Sequence, residues 1–249
     1  MTSASKLNNR AVRAALLAAL LATTAAHAQT TTFTFQHGVA GYLGSADTTL
    51  RAAEPTVALG SEPEAGVDAS DGGQPAQALL RFEGLFGSGA GQIGSERVVT
   101  QATLTLTVTS AGSGIRFFEM LQPWNEATAT WASLGDGVQA DGVEAASTPF
   151  LQIGANDGGG NIEAGTLVLD ITAALQRQQA GLTAGHGWAL LPFMPDGTNG
   201  IDFYTREWTT LAERPLLTVV TAPVPEPTTL ALWLSGLLAM AWGLKKRRG

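Results

Sequence analysis

Ala102-Thr103-Leu104-Thr105-Leu106-Thr107-Val108-Thr109 alternates apolar and hydroxylated side chains with a period of two. Successive side chains of an extended chain point to opposite faces. The alternation therefore predicts a β-strand with Leu104, Leu106 and Val108 buried and Thr103, Thr105 and Thr107 on a wetter face. Working outward, β-rich runs recur at Asp47 to Arg51, Gln77 to Glu83, Val98 to Thr109, Ile115 to Leu121, Thr166 to Ile171, Gly187 to Phe193, Ile201 to Thr205 and Pro215 to Thr221. Glycine, aspartate and proline separate them. Many short strands punctuated in this way signal an all-β chain, an antiparallel β-sandwich or jelly roll. One short helix is expected over Ala173 to Ala180, where Asp170 or Thr172 can cap the start and Gly181 can end it.

The two ends follow other rules. Lys6, Arg10 and Arg13 form a basic region, Ala14 to Ala22 an apolar one, and Ala26-His27-Ala28 a small-x-small site before Gln29. Residues 1–28 thus read as a secretory signal peptide, a signal helix removed by signal peptidase at Ala26 and Ala28. At the other end, Val224-Pro225-Glu226-Pro227 precedes an uncharged apolar run from Thr228 to Leu244 and then Lys245-Lys246-Arg247-Arg248. The run is 17 residues long. As a single transmembrane helix it would rise about 26 Å, just enough for a hydrocarbon core about 30 Å thick. Each of the four cations would cost about 2.5–3.5 kcal/mol at the bilayer centre, so together they stop transfer and stay cytoplasmic. Pro225 and Pro227 disfavour helix and keep the stretch before the membrane extended.

Over residues 223–249 the Pro-Glu-Pro triplet, short apolar helix and basic terminus resemble the PEP-CTERM sorting domain of exported proteins of Gram-negative bacteria. The resemblance implies transient anchoring in the inner membrane and processing by an exosortase near Pro225, Glu226 and Pro227. It also implies delivery to the cell surface or the exopolysaccharide matrix.

Between the ends lies one domain, residues 29–222. Seven of the 14 basic residues fall in the flanking segments, against only Glu226 of the 21 acidic ones; 7 cations then face 20 anions, a net charge of −13. Such a surface repels nucleic acid and anionic lipid, and suits a neutral glycan or an anionic one bridged by Ca²⁺. All seven cations are arginines, so there is no lysine for Schiff-base or general-base chemistry, and the absence of cysteine excludes disulfides and thiolate nucleophiles.

Five blocks of this domain resemble the DNRLRE domain, a β-sandwich related to carbohydrate-binding modules. The first is Phe35-Gln36-His37-Gly38-Val39 with Gly41-Tyr42 and Ala46-Asp47-Thr48-Thr49-Leu50-Arg51. The second is Ala78-Leu79-Leu80-Arg81-Phe82, and the third Trp124-Asn125-Glu126 with Thr128, Thr130 and Trp131. The fourth is Leu169-Asp170-Ile171-Thr172, and the last Phe203-Tyr204-Thr205-Arg206-Glu207 followed by Arg214-Pro215-Leu216-Leu217-Thr218-Val219. An acidic insertion, Glu62 to Gln74, and a loose stretch, Gly135 to Asn161, depart from that pattern.

Catalytic groups are scarce. His37 and His186 are far apart and in no nucleophile–base motif, and no catalytic residue is assigned. Most acids sit beside glycines as turn residues; Glu126 and Glu207 are the exceptions, expected to pair with Arg81 or Arg206 and lock loop ends. No cofactor is required by any motif. Three oxygen-rich loops, containing Asp68 and Asp71, Asp157, and Asp196, offer candidate ligands for a structural Ca²⁺. Trp124, Trp131 and Trp188 read as core, whereas Trp208 stands in the polar stretch Arg206-Glu207-Trp208-Thr209-Thr210 and is, with Tyr42, the candidate glycan contact. The expectation is an exported, non-catalytic protein that binds or structures extracellular polysaccharide. The alternatives are a polysaccharide lyase or glycosidase using paired carboxylates, and a purely structural surface protein.

Overall fold

A computed structural model describes residues 29–194 and 200–224. The signal-cleavage residues Ala26 and Ala28, the loop residue Asp196, the Pro225-Glu226-Pro227 triplet, the C-terminal apolar run and Lys245 to Arg248 lie outside the described residues, as do the expected signal and transmembrane helices. The chain divides into two units after Thr30, and every strand belongs to the second.

The stretch containing the decisive alternation is β5 (Arg97–Ser110), the longest strand. Leu104, Leu106 and Val108 are buried, and the intervening threonines are partly exposed. β5 pairs with β11 (Leu216–Pro223) along its first part, with β8 (Gly165–Asp170) on the opposite edge, and with β10 (Ile201–Tyr204) near its end. A register shift opposite Val220 and Thr221 leaves Thr100 as an extra residue. That bulge is why Val99 and Ala102, which strict alternation would place on opposite faces, are both buried. β1 (Thr31–Gln36) lies outside β11.

The remaining strands continue the same sheet. β10 pairs with the first half of β3 (Glu64–Asp71), and the second half of β3 pairs with β4 (Gln74–Phe82). β4 also holds β2 (Ser45–Arg51) and β9 (Trp188–Leu191); β6 (Gly114–Glu119) and β7 (Leu151–Gly154) follow beyond β9. Every ladder between these strands is antiparallel, and the eleven strands form one sheet. The sheet curls, because one core cluster takes Leu104, Leu106, Leu217 and Val219 from one half and Leu80, Ile115, Phe117 and Trp188 from the other. Phe35, Tyr42, Phe82, Trp188, Phe150 and Phe117 touch in that order, ring to ring, through this core.

The segment expected to be an acidic insertion is instead β3 and its hairpin turn. It is the strand that joins the two halves of the sheet. Few of its residues favour strands, but two neighbours supply its backbone partners, and tertiary context overrides propensity. The stretch after Gly135 is likewise only partly loose. Val138 and Ala145 join Trp124, Ala129 and Leu134 in a second core cluster against Leu79, Phe118 and Leu191. The half containing β4, β6 and β9 is therefore covered on both faces.

The helix α1 (Thr172–Gln179) starts and ends one residue earlier than expected, with Ala180 as its cap before Gly181, whose φ of 70° suits a glycine terminator. Asp170 Oδ1 accepts from the Thr172 backbone N–H, while the Thr172 hydroxyl accepts from Ala102 N–H and so ties the helix to β5. Gln176 and Gln179 bond the main chain of Val99 and Arg97, completing the edge of β5 that β8 does not reach.

Candidate functional site

The free edge of β2 brings three distant parts of the chain together. β2 has a strand partner on one side only. On the other, the Asp47 N–H donates to Glu126 Oε1 at 2.8 Å, and the Ser45 carbonyl accepts from Arg206 Nη1 at 2.8 Å. A buried strand edge without partners would leave these groups unsatisfied; here side chains complete the ladder. Glu126 comes from the loop after β6, and Arg206 and Glu207 from the turn after β10. Arg206 pairs through Nη2 with Glu126 and through Nε with Glu207 Oε1 at 2.7 Å. Its own backbone N–H donates to Asp47 Oδ2 at 3.0 Å, and the Thr205 hydroxyl pins the same turn by donating to the Glu62 carbonyl. Gly60 packs so close to Glu126 that a Cβ would strike its main chain and side chain.

Arg206 therefore serves three carboxylates, Glu126 and Glu207 through its guanidinium and Asp47 through its backbone N–H; one oxygen from each lies within 4.8 Å of the others. Asp47 is fully buried, Glu126 and Glu207 half-buried. Burial, reinforced by the Glu207 charge, raises the Asp47 carboxyl well above the usual range against the pull of the Arg206 N–H. Burial also raises Glu126, opposed by the hydrogen bond from Asp47. Asp47 Oδ1 and Glu207 Oε2 are buried without a hydrogen-bond partner. Such oxygens can hold a proton or a hard cation. The expected pairing of Glu126 and Glu207 with an arginine is met by Arg206 for both; that Asp47 joins them is not visible in the sequence.

The residues singled out from sequence fall elsewhere. Trp208 stacks face to face on Tyr204, with centroids 3.9 Å apart and planes 7° off parallel, and its indole N–H donates to Glu213 Oε2 at 2.6 Å. It is half-buried and held in place. Tyr42 is drawn into the core between Phe35 and Phe82, with its hydroxyl donating to the Glu83 carbonyl at 2.9 Å; Tyr204, not singled out, is the ring beside Trp208. Asp68 Oδ1 accepts from Ser70 N–H within the β3 hairpin, Asp71 faces Arg51 at 3.6 Å, and Asp157 is exposed at the end of a short 3₁₀ turn. Among the described residues these loop aspartates join no converging ligand set.

Clefts of about 320–450 Å³ mark the surface of the described residues, four of them well formed. The smallest is lined by Trp131, Arg116, Gln77, Gln139, Leu191 and Met194, among others. Gln77 there exchanges two hydrogen bonds with the Val138 main chain, and Arg116 lies against the rings of Phe118 and Phe193. None of the carboxyls raised by burial (Asp47, Glu119, Glu126, Asp202) lines any of these four clefts.

Residues 223–248 match the PEP-CTERM protein-sorting motif. The motif begins on the last residue of β11, Pro223, so no linker separates sheet from sorting signal. It marks the chain as an exported protein processed by an exosortase and sorted to the cell surface. No curated protein matches the chain.

Proposed function

We propose that the exported domain, residues 29–222, is a non-catalytic β-sandwich that binds or structures extracellular polysaccharide. On this reading signal peptidase removes residues 1–28, the C-terminal segment holds the chain transiently in the inner membrane, and an exosortase releases it into the surface matrix of a Gram-negative cell. The observation that carries the reading is the sorting motif joined directly to the last strand of the folded sheet. The address is the cell surface, and the cargo is the curled sheet itself.

The Trp208–Tyr204 stack supports glycan contact. A ring already held by a neighbour and by Glu213 offers apolar area to the C–H face of a sugar with little further ordering cost. The Trp131 cleft provides a second aromatic surface edged by amide side chains. At these four clefts no raised carboxyl is in place to act as a glycosidase acid, which must reach the scissile bond, so a sugar lodged there would be bound rather than cut.

The test is retention of the full chain, in detergent, on a panel of neutral and anionic polysaccharides, with released oligosaccharide assayed in the same tubes. Retention without release, weakened about tenfold or more by Trp208→Ala or Trp131→Ala, is expected. Release of sugar would assign a lyase or glycosidase instead, and failure to bind any glycan would leave a purely structural surface protein.

A further inference from the structure

We infer that Asp47, Glu126 and Glu207 bind one divalent cation of Ca²⁺ size at the free edge of β2. Charge is the first reason. Arg206 is the one cation bonded among three carboxylates, so their full ionisation leaves two negative charges uncompensated in a largely buried place. The neighbouring arginines are committed elsewhere. Arg81 pairs with Glu83, donates to the Trp124 carbonyl and lies over the Trp124 ring, and Arg214 donates to the carbonyls of Trp208 and His37. A divalent ion neutralises what remains, whereas a buried uncompensated charge is strongly unfavourable.

The second reason is independent of the count of acids. Asp47 has no exposed surface, and its Oδ1 has no hydrogen-bond partner although its carboxylate points into the cluster. Glu207 Oε2 is in the same condition, and so is the Ser45 hydroxyl, which shares a face of β2 with Asp47. Buried polar atoms are nearly always satisfied, and a ligand that accepts electron pairs would satisfy these.

The third reason is size. A hard cation with oxygen ligands at about 2.3–2.6 Å has a coordination shell about 4.6–5.2 Å across, and this is the range of Ca²⁺. Three oxygens, one from each carboxylate, lie within 4.8 Å of one another and fit that shell. An all-oxygen, carboxylate-rich set also selects against softer metals. So placed, the ion ties the edge of β2, the loop after β6 and the turn after β10 into one junction. It occupies none of the glycine-rich loops that sequence composition favours.

The test is equilibrium dialysis of the full chain against radioactive Ca²⁺, alongside thermal melts in chelator and in 5 mM Ca²⁺. One ion per chain is expected, with an affinity in the range of extracellular modules, about 0.1–1 mM. The melting temperature should rise by roughly 2–8 °C between chelator and Ca²⁺. Asp47→Asn and Glu207→Gln should each weaken binding at least tenfold, whereas Asp157→Asn should leave it unchanged. If Asp47→Asn does not fold, Glu207→Gln carries the comparison, together with Tb³⁺ luminescence sensitised by Trp208 and displaced by Ca²⁺. Absence of a bound ion in the wild-type chain, or binding that survives Glu207→Gln and is lost in Asp157→Asn, would overturn the assignment.

Discussion

Glu119→Gln should flatten the pH dependence of stability, and the structure sets its size. Glu119 sits near the end of β6 opposite Trp188, on the face of the strand that also carries Ile115 and Phe117. Only 8 % of its surface is exposed, and Oε1 has no partner. Burial pushes its carboxyl from the ordinary value of 4.5 to about 7, although attraction to Arg177 and a hydrogen bond from Trp188 pull the other way. The folded protein therefore holds a proton between pH 4.5 and 7 that the unfolded chain has released. Stability is fully present below the unfolded value and is lost as pH rises through the folded one. At about 1.4 kcal/mol per pH unit the ceiling is roughly 3 kcal/mol, and incomplete desolvation brings the expected loss to about 1–3 kcal/mol.

Glutamine keeps an oxygen for the Trp188 indole and never ionises. It places an unpartnered amide where Oε1 stood, at about 1–2 kcal/mol, so at pH 5 the variant should equal or trail the wild type. At pH 8.5 it should gain on it by about 1–3 kcal/mol relative to pH 5. For a domain of this size that is roughly 2–10 °C in Tm. Thermal melts followed by circular dichroism, from pH 4.5 to 8.5, make the comparison. Asp47, Glu126 and Asp202 are also raised by burial, so the variant will still lose some stability on alkalinisation; only the difference between the two profiles belongs to Glu119. Parallel profiles would refute the reasoning.

Two further outcomes follow from the junction at β2. Arg206→Ala removes the one cation among three carboxylates and should cost about 3–5 kcal/mol in urea denaturation; Arg206→Lys should recover little of it, since a lysine cannot reach Glu126, Glu207 and the Ser45 carbonyl from one planar fork. Gly60→Ala forces a methyl into Glu126 and should cost about 1–3 kcal/mol, with faster hydrogen exchange at the Asp47 amide as the local sign that its bond to Glu126 has been disturbed.

Most strands were legible in the sequence because their signal is local. The eight β-rich runs each coincide with a strand to within two or three residues at either end, and the helix was displaced by one residue. Glu62 to Gln74 departs from the DNRLRE pattern as an acidic insertion, and Glu64-Ala65-Gly66-Val67-Asp68-Ala69-Ser70-Asp71 has weak strand propensity; its partners β10 and β4, far apart in the sequence, make it a strand. The site was less legible. The sequence marks Trp208 but cannot say that Tyr204 rather than Tyr42 lies beside it. The loop aspartates have the composition of cation loops, yet two of them are engaged within the hairpin or by Arg51, and Asp157 is exposed away from any partner acid.

By itself the sequence determined what depends on neighbours along the chain: the two-residue alternation of β5, the glycine stop of the helix, the acidity of the exported region and the sorting motif after β11. Each is a linear pattern, and period, charge and backbone preference act over a few residues. Only the tertiary structure decided that the sheet curls through β3 and that Asp47, Glu126, Arg206 and Glu207 share one buried junction. Asp47 and Glu126 are separated by 79 positions, and Asp47 and Arg206 by 159. Register and curvature set which side chains meet across such distances, and buried carboxylates take their chemistry from whatever meets them there.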